Sequence, residues 1–318
     1  MKYRVAYIIG AGSIGLRHAE NLRSLEIPVK LISFRELDLV GLQRSLDEAS
    51  ILVCATPTYY RSELIEVASE RNSLMYCEKP ACTGIEQVDF LFSRPAEWLS
   101  ASVVGLMTRY HPGLRWLASL DLAGVISARF RIGQDITQWR KGWDFESSYA
   151  SRSDVGGALF DLCHELDLAE LLFPGLIVSS VNSLCGTEYQ DVDFYSSVQL
   201  SNASTGTVVS VEMDYLAKSA IRDVELRFRD RTVTLDLLSG KALIHSFQNG
   251  LTSLDFPTQR SDWFFSLMRD FVHHSEIADP MRPSFANARS SIELTVEARA
   301  KRTIVGFVDD RFVMNRVR

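Results

Sequence analysis

The 318-residue sequence predicts two domains: an α/β domain built on a doubly wound parallel sheet, and an α+β domain built on a large, open, mostly antiparallel sheet. Two observations lead to this prediction. Strand-like and helix-like segments alternate through the first third of the chain, which is typical of a parallel sheet covered by helices on both faces. Later strand-like runs follow one another without intervening helices, which favours antiparallel pairing. We place the domains at residues 1–120 and 121–318.

Short apolar runs and helical periodicity define the first domain. The linker between residues 34 and 50 is short for a full helix and an extra strand, so we expect a shortened crossover there. The expected strands are 5–9, 29–33, 51–55, 74–77 and 101–107, and the expected helices are 13–25, 59–70 and 85–92.

The second domain begins with a long expected strand at 124–135, followed by a helix at 156–173 that ends before Pro174-Gly175. Strand-like runs separated by turn residues then continue from residue 177 to residue 246. The clearest runs are 197–200, 207–213, 224–228 and 232–237, and two late helices are expected near 262–274 and 286–300.

A glycine-rich turn after the first strand is the most informative motif. The apolar run before it leads into Gly10-x-Gly12-x-x-Gly15, and Ser13 and Ile14 begin a helix. Gly10 allows a sharp turn, Gly12 lets the backbone approach a pyrophosphate, and Gly15 lets the helix pack closely on the sheet. The helix start offers N–H groups and partial positive charge to phosphates. The motif therefore predicts a dinucleotide site that includes these five residues.

The end of the second strand indicates which dinucleotide binds. A site that prefers NAD usually has Asp or Glu about 20 residues beyond the glycines, where the carboxylate binds the adenosine ribose. This sequence has Ser33 and Arg35 there, and a hydroxyl with a guanidinium suits the 2′-phosphate of NADP. Glu36 stands against this choice, so NADP is favoured and NAD stays open.

Two further segments follow strands of the parallel sheet, where ligands bind in such folds. Thr56-Pro57 follows the third strand, and Glu78-Lys79-Pro80 follows the fourth. Because Pro80 disfavours helical conformation at Lys79, the lysine side chain projects from extended backbone. A lysine beside a nicotinamide can hold a substrate hydroxyl and, when desolvated, can lose its proton near neutral pH. Taken alone, these residues fit a lysine in a surface turn better.

Asp161 and His164 form a second candidate group, in the expected helix after Gly156-Gly157. Residues three apart share a helix face, so the carboxylate can orient the imidazole and support its charged form. Asp167 lies on the other side of His164 and no His-Glu-x-x-His motif is present, so a metal site is not expected. A purely structural histidine is the alternative.

In this order and spacing, the motifs resemble the glucose-fructose oxidoreductase / inositol dehydrogenase / MocA family. The motifs are the glycine turn, Ala-Thr-Pro at 55–57, Glu-Lys-Pro at 78–80 and Gly-Gly-x-x-x-Asp-x-x-His-x-x-Asp at 156–167. They span the first half of the chain, and the strand-rich remainder fits the family's second domain. The resemblance implies a Rossmann domain and hydride transfer between a nicotinamide and a carbinol carbon, usually of a sugar or cyclitol.

The resemblance also implies roles for single residues. Lys79 would contact the reacting hydroxyl, His164 would act as general acid or base, and Asp161 would orient one of them or the substrate. The Lys79–Pro80 peptide bond is expected to be cis. The cofactor would lie against the loops that contain Thr56, Pro57 and Glu78.

Three positions depart from the family pattern or have no assigned role. The family commonly places His four residues after the Asp, whereas His164 follows Asp161 by three. Arg61 stands where many relatives have His. His18, after the glycine turn, is expected on the helix surface.

Aromatic side chains indicate a sugar-like substrate, because rings stack on the apolar face of a sugar. The candidates are Tyr110, after the last parallel strand, and Trp139, Trp143 and Tyr149 in the loop before Gly156. This loop resembles that of a family subgroup associated with surface-polysaccharide and nucleotide-sugar pathways. The alternative is that the two tryptophans anchor the loop on the core or on a subunit interface.

Composition sets the outer limits. A net charge of -6 gives no electrostatic reason to expect nucleic acid or an anionic membrane as a partner. Five cysteines without Cys-x-x-Cys spacing argue against a disulfide framework or a zinc site. The first apolar run is too short for a signal peptide, and none is long enough for a membrane span, so a cytoplasmic protein is expected. Open sheet faces need cover, which favours a homo-oligomer, either a dimer or a tetramer.

These observations predict an NAD(P)-dependent dehydrogenase or reductase that acts on a CH–OH group of a sugar, cyclitol or nucleotide-sugar. One alternative is a glycosidase of the same architecture that uses tightly bound NAD for transient oxidation. Another is a dinucleotide-binding protein without catalysis, against which the presence of both Lys79 and His164 argues.

Overall fold

A computed structural model describes residues 3–139, 144–273 and 279–313. The chain divides into two compact units. The first extends to Tyr110 and takes in the later segment Gln259–Ile292, and the second comprises His111–Thr258 and the segment from Glu293 onward. The observed units therefore differ from the predicted ranges at 111–120 and 259–292. The later segment joins the first unit because a helix within it carries apolar residues into that unit's core.

The first unit contains a parallel sheet flanked by helices. Its elements up to Tyr110 are β1 (Val5–Ile9), α1 (Ser13–Ser24), β2 (Val29–Ile32), α2 (Leu39–Ser45), β3 (Ser50–Cys54), α3 (Arg61–Glu70), β4 (Leu74–Cys77), α4 (Ile85–Phe92), α5 (Ala96–Ala101) and β5 (Val103–Val104).

The second unit is built mainly from strands. From His111 to Thr258 its elements are α6 (Pro112–Ala118), β6 (Val125–Gly133), α7 (Ala158–Asp161), α8 (His164–Leu172), β7 (Ile177–Gly186), β8 (Asp193–Ser201), β9 (Val208–Asp214), β10 (Ile221–Phe228), β11 (Arg231–Asp236), β12 (Lys241–Ser246) and β13 (Gly250–Asp255). The remaining elements of the chain are α9 (Arg260–His273), α10 (Arg289–Ala300) and β14 (Arg302–Val308).

Within the described residues, the first sheet has the strand order β2-β1-β3-β4-β5, and every neighbouring pair is parallel. Its core joins the buried faces of β1, β3 and α1 to α9, which supplies Phe264, Leu267 and Phe271. The seven-residue helix α2 is the shortened crossover that the linker length predicts. The predicted doubly wound parallel sheet is confirmed.

The second sheet is larger and mixed. Its order over the described ranges is β13-β12-β11-β10-β6-β9-β8-β7-β14, with β6/β9 and β7/β14 parallel and the other pairs antiparallel. Helices α7 and α8 pack on its central strands. Side chains alternate along β6 and β10, so that Phe130 and Val224 are buried while Arg131 and Asp223 lie on the other face, joined by two hydrogen bonds. The predicted large, mostly antiparallel sheet is confirmed.

Two predicted elements are wrong in part. The strand expected at 101–107 is only two residues long, because the Leu106 N–H turns back to the Val104 carbonyl and Met107–Tyr110 forms a 3-10 turn. The helix expected at 156–173 is interrupted at Leu162-Cys163, which separates α7 from α8. In the part of the chain that the structure describes, no helix combines the length and the apolar character that crossing a membrane requires.

His111 begins α6 and predicts a pH dependence of stability. Its Nδ1 accepts a hydrogen bond from the Gly113 N–H at 3.0 Å, and its Nε2 donates to the Leu237 carbonyl at 3.3 Å, so the ring is neutral. Burial lowers the pKa of His111 from 6.5 to about 4, and the charge of Arg222 adds to this effect.

The pKa of His111 is lower in the folded state than in the unfolded state, so the neutral ring stabilises the fold. This contribution to stability is complete above pH 6.5 and is lost as the pH falls toward 4. We expect the free energy of unfolding to fall over that window by about 2–3 kcal/mol more in the wild type than in His111→Asn. Asn caps the helix without titrating. Urea unfolding at several pH values measures this difference, and identical pH profiles would contradict the assignment.

Candidate active site

The glycine turn after β1 has the geometry that the motif predicts. Gly10 has φ +115°, and a Cβ there would overlap the Ala55 carbonyl oxygen. A Cβ on Gly15 would overlap the Gly10 carbonyl oxygen, so this glycine lets α1 pack closely against the turn. A Cβ on Gly12 would meet no described atom within 4 Å. The turn is therefore tight where it packs on protein and open at Gly12, where a pyrophosphate would approach.

The start of α1 suits an anion. Gly12 is its N-cap and has no side chain that could cap the helix, and the first turn, which begins with Ser13 and Ile14, contains no acidic residue. The positive end of the helix and its backbone N–H groups therefore face neither a side-chain cap nor a carboxylate of the first turn. These residues fit the pyrophosphate of a dinucleotide.

The predicted ribose position lies beside this turn. The Gly10 N–H donates to the Ile32 carbonyl at 2.9 Å, which places the end of β2 next to the glycines. Ser33 is half-buried and Arg35 is exposed, as is Glu36. The ring of the intervening Phe34 packs edge-on against Tyr60 with centroids 4.1 Å apart. Arg35 and Glu36 are thus both accessible at this position.

The ends of β3 and β4 reach the same edge of the sheet. The Ala55 N–H donates to the Ile9 carbonyl at 2.9 Å, and the Glu78 N–H donates to the Cys54 carbonyl at 3.0 Å. Thr56-Pro57 and Lys79-Pro80 therefore follow neighbouring strands at the edge that carries the glycine turn. The Lys79–Pro80 bond is cis, as the resemblance implied.

Glu78 and His18 form a buried pair beside Lys79. The Nε2 of His18 lies 2.7 Å from the Glu78 carboxylate, and both side chains are buried. Burial opposes the charge of Glu78, but the hydrogen bond from His18 and the charges of His18, Lys79 and Arg61 hold its pKa below the usual value. The expectation that His18 lies on the helix surface is wrong, because its ring packs on Tyr76 and Phe264 in the core. That Glu78 contacts the cofactor stays a prediction.

Arg61, the first residue of α3, is 5% exposed. Its guanidinium donates to the Thr56 carbonyl at 3.1 Å, to the Lys79 carbonyl at 3.4 Å and to the Pro80 carbonyl. One buried cation therefore joins the loop after β3 to the loop after β4.

Tyr110, predicted to contact substrate, directs its hydroxyl to the Asp270 carboxylate of α9 at 2.5 Å. Its ring packs against the core of the first unit. Contact between Tyr110 and substrate stays a prediction.

In the second unit, Gly156-Gly157 forms the entry to α7. Gly157 has φ +91°, and a Cβ there would overlap a carboxylate oxygen of Asp193. The Asp193 side chain accepts from the Leu159 N–H at 2.8 Å and from Arg299 at 2.6 Å. Asp193 thus caps α7 from a neighbouring strand, and glycine is required because the carboxylate approaches so closely.

The Asp161 carboxylate forms hydrogen bonds with the hydroxyl groups of two tyrosines. The Tyr149 hydroxyl donates to one carboxylate oxygen at 2.9 Å, and the Tyr215 hydroxyl lies 3.0 Å from the other. Burial, together with the charge of Asp161, raises the pKa of Tyr215 well above its usual value. Trp139 lies with its ring centroid 6.5 Å from that of Tyr215, and Trp143 lies outside the described residues.

His164 is buried and begins α8, on the far side of the helix interruption from Asp161. The prediction that Asp161 and His164 share one face of a continuous helix is therefore wrong. The Asp161 carboxylate binds tyrosine hydroxyls. Glu165, the residue after His164, forms an ion pair with Arg222 at 2.7 Å. That Asp161 orients His164 stays a prediction.

Four residues of these networks had no role predicted from the sequence: His18, Arg61, Asp193 and Tyr215. Arg61 carried a signal, since it stands where relatives have His. Gly156-Gly157 signalled a close approach without identifying Asp193. Over the described ranges, no group of three or more His, Cys, Asp or Glu side chains is arranged to hold a metal ion.

Comparison with known proteins supports the fold. No family model matches the sequence. Over 145 residues, the chain is 28% identical to 2,7-anhydro-N-acetylneuraminate hydratase of Mediterraneibacter gnavus, a match that covers 44% of this chain and only 37% of that protein.

Solved structures match along nearly the whole chain. UDP-N-acetylglucosamine 3-dehydrogenase GnnA from Acidithiobacillus ferrooxidans aligns with a TM-score of 0.74 at 17% identity, over 99% of this chain and 100% of that one. KijD10, a 3-ketoreductase from Actinomadura kijaniata solved with NADP and TDP-benzene, aligns with a TM-score of 0.75 at 14% identity, over 96% and 100%. The chain therefore has the fold of the glucose-fructose oxidoreductase / inositol dehydrogenase / MocA oxidoreductases, as its motifs predicted.

Proposed function

We propose that the protein is an NAD(P)-dependent oxidoreductase that transfers a hydride between the nicotinamide and a carbinol or carbonyl carbon of a sugar, cyclitol or nucleotide-sugar. The observation that carries this proposal is the parallel-sheet edge where the open Gly12 turn, the uncapped start of α1 and the Lys79 loop follow strands β1 and β4. Ligands of such sheets bind at the carboxyl ends of the strands. Similarity to a sugar-nucleotide dehydrogenase and a ketoreductase supports the substrate class.

The chemistry assigns separate roles to Lys79 and His164. A bound nicotinamide supplies the hydride acceptor or donor. In the oxidative direction Lys79 holds the reacting oxygen, and His164 takes the O–H proton as the C–H hydride leaves carbon. In the reductive direction His164 returns that proton to the oxygen. Asp161 orients the substrate or one of these groups, and it also accepts a hydrogen bond from the hydroxyl of Tyr149, a residue that is 39% exposed.

Removing either group tests the roles. We expect Lys79→Ala and His164→Ala each to lower kcat by about 10²–10⁴-fold, because general acid–base catalysis contributes rate enhancements of that size. The dissociation constant of the dinucleotide should change little. Absorbance of reduced nicotinamide during incubation with a panel of sugars and nucleotide-sugars measures turnover, and Lys30→Ala is the matched control. Wild-type turnover in both variants would contradict the roles proposed for Lys79 and His164.

A redox-neutral reaction is the second candidate. The sequence relative from Mediterraneibacter gnavus is named as a hydratase, and hydration produces no net oxidation. A glycosidase with transient oxidation belongs to the same class. Such an enzyme releases product without net nicotinamide reduction and retains its dinucleotide through purification. The same absorbance assay, coupled to mass spectrometry of the products, separates the two candidates.

Arg35 tests the preference for NADP. Because a guanidinium forms charge-assisted hydrogen bonds with a phosphate, Arg35→Ala should weaken NADP binding by about 10- to 100-fold. Binding of NAD should be nearly unchanged. Calorimetric titration of both dinucleotides measures the difference, with the exposed Arg44→Ala as control. Equal losses for both, or a strong NAD preference in the wild type, would contradict the role of Ser33 and Arg35.

The open face of the second sheet supports a homo-oligomer, a dimer or tetramer. Half-buried polar and charged residues cover this face, including Ser210 of β9, which alternates with buried Val209 and Val211. Placing Arg in the middle of a buried interface adds volume and unpaired charge, so Ser210→Arg should reduce the mass in solution toward the 35.8 kDa monomer. Light scattering measures it, with the exposed Ser93→Arg as control. A monomeric wild type would refute the proposal.

A further inference from the structure

The hydrogen bonds of Arg61 are concentrated on the backbone that carries Lys79. Two of its three carbonyl acceptors belong to Lys79 and Pro80, and the third belongs to Thr56 in the neighbouring loop. All three acceptors are neutral, so Arg61 neutralises no carboxylate through these bonds. Burying a guanidinium is unfavourable unless hydrogen bonds compensate. The chain thus places a buried charge where its hydrogen bonds fix two loops.

We propose that Arg61 is a positioning residue for Lys79: its guanidinium fixes the backbone from which the Lys79 side chain projects, relative to the Thr56-Pro57 loop. This inference rests on the proposed function, in which Lys79 holds the reacting oxygen. Arg61 itself contacts neither the substrate nor the reacting atoms, and its effect on turnover is exerted through Lys79.

The surroundings of Lys79 explain why its backbone needs this contact. On the N-terminal side, the Glu78 carboxylate lies 2.7 Å from His18 Nε2, and a Cβ on Gly105 would lie only 3.1 Å from it. On the C-terminal side, the carbonyls of Lys79 and Pro80 lie beyond the end of β4 and are bound by Arg61. The two contacts hold the residues on either side of the Lys79 side chain. A lysine side chain has four rotatable bonds, so the location of its Cα decides which positions the ammonium reaches.

The planar fork of Arg61 is specific for this task. A guanidinium presents five N–H donors in fixed directions and reaches several carbonyls at once, whereas an ammonium is a compact point charge. Arg61→Lys keeps the charge and most of the volume but loses the simultaneous contacts. Because a misplacement of about 1 Å can cost about 10²-fold in rate, we expect kcat to fall by about 10- to 100-fold. The dissociation constant of the dinucleotide should change by less than about threefold.

The matched control is Arg71→Lys at the other end of α3, where the side chain donates to one carbonyl of the described residues, that of Leu46, at 3.1 Å. It should leave kcat unchanged. Far-ultraviolet circular dichroism and the midpoint of thermal unfolding establish that both variants remain folded.

A double-mutant cycle separates positioning from general structural damage. If Arg61 acts through Lys79, adding Arg61→Lys to Lys79→Ala should lower the residual rate by less than about twofold, because neighbouring residues of one unit are not additive. If Arg61 merely supports the fold, the two losses multiply. Multiplied losses would overturn the proposal.

A spectroscopic measurement tests the same inference without substrate. The chain has seven lysines, and reductive methylation with ¹³C-formaldehyde gives each dimethylammonium group its own NMR signal, with Lys79→Arg identifying that of Lys79. Arg61→Lys should shift the Lys79 signal while those of the other native lysines stay in place, and Arg71→Lys should shift neither. An unmoved Lys79 signal would overturn the proposal. If no sugar supports turnover but the Lys79 signal moves, the proposed function fails while the positioning contact stands.

Discussion

Hydrogen bonds between parallel strands bring the carboxyl ends of β1, β3 and β4 to one edge of the first sheet. The register aligns the last residues of the three strands: Ile9 lies opposite Cys54, and Cys54 lies opposite Cys77. Each of these residues is followed within two positions by a residue of a candidate motif. The glycine turn, the Thr56-Pro57 loop and the Lys79 loop are therefore neighbours because the strands pair in this way. Without the register, the motifs would be three unrelated turns.

Polar contacts beneath that edge complete its geometry. Apolar packing holds α1 on the sheet, but it does not specify where a loop's carbonyls or carboxylates point. His18 binds Glu78, and Arg61 binds three carbonyls, all within the first unit. In the second unit, Asp193 caps α7 and Asp161 holds Tyr149 and Tyr215. Such buried polar groups are costly unless they are hydrogen-bonded, and within its own unit each one fixes a side chain or a loop.

Sequence patterns predicted what depends on local periodicity and on backbone sterics. The alternation of strands and helices, the glycine turn and the extended backbone before Pro80 all follow from residues close together in the chain. The interruption between α7 and α8 could not be predicted in this way, because the apolar spacing of a helix continues through it. Asp161 and Glu165, on either side of it, bind residues that are distant in the sequence, Tyr215 and Arg222. Likewise, His18 reads as a surface residue until Glu78, 60 positions later, is placed beside it. Long-range polar pairs leave no periodic signal.

The central claim is that this sheet edge binds a dinucleotide, and a crystal structure of the protein with NADP tests it most directly. The account predicts that the pyrophosphate lies against the backbone amides at the start of α1, in the open space beside Gly12, with the adenosine 2′-phosphate near Ser33 and Arg35. A dinucleotide bound elsewhere, or an edge left without ligand at saturating NADP and NAD, would contradict it.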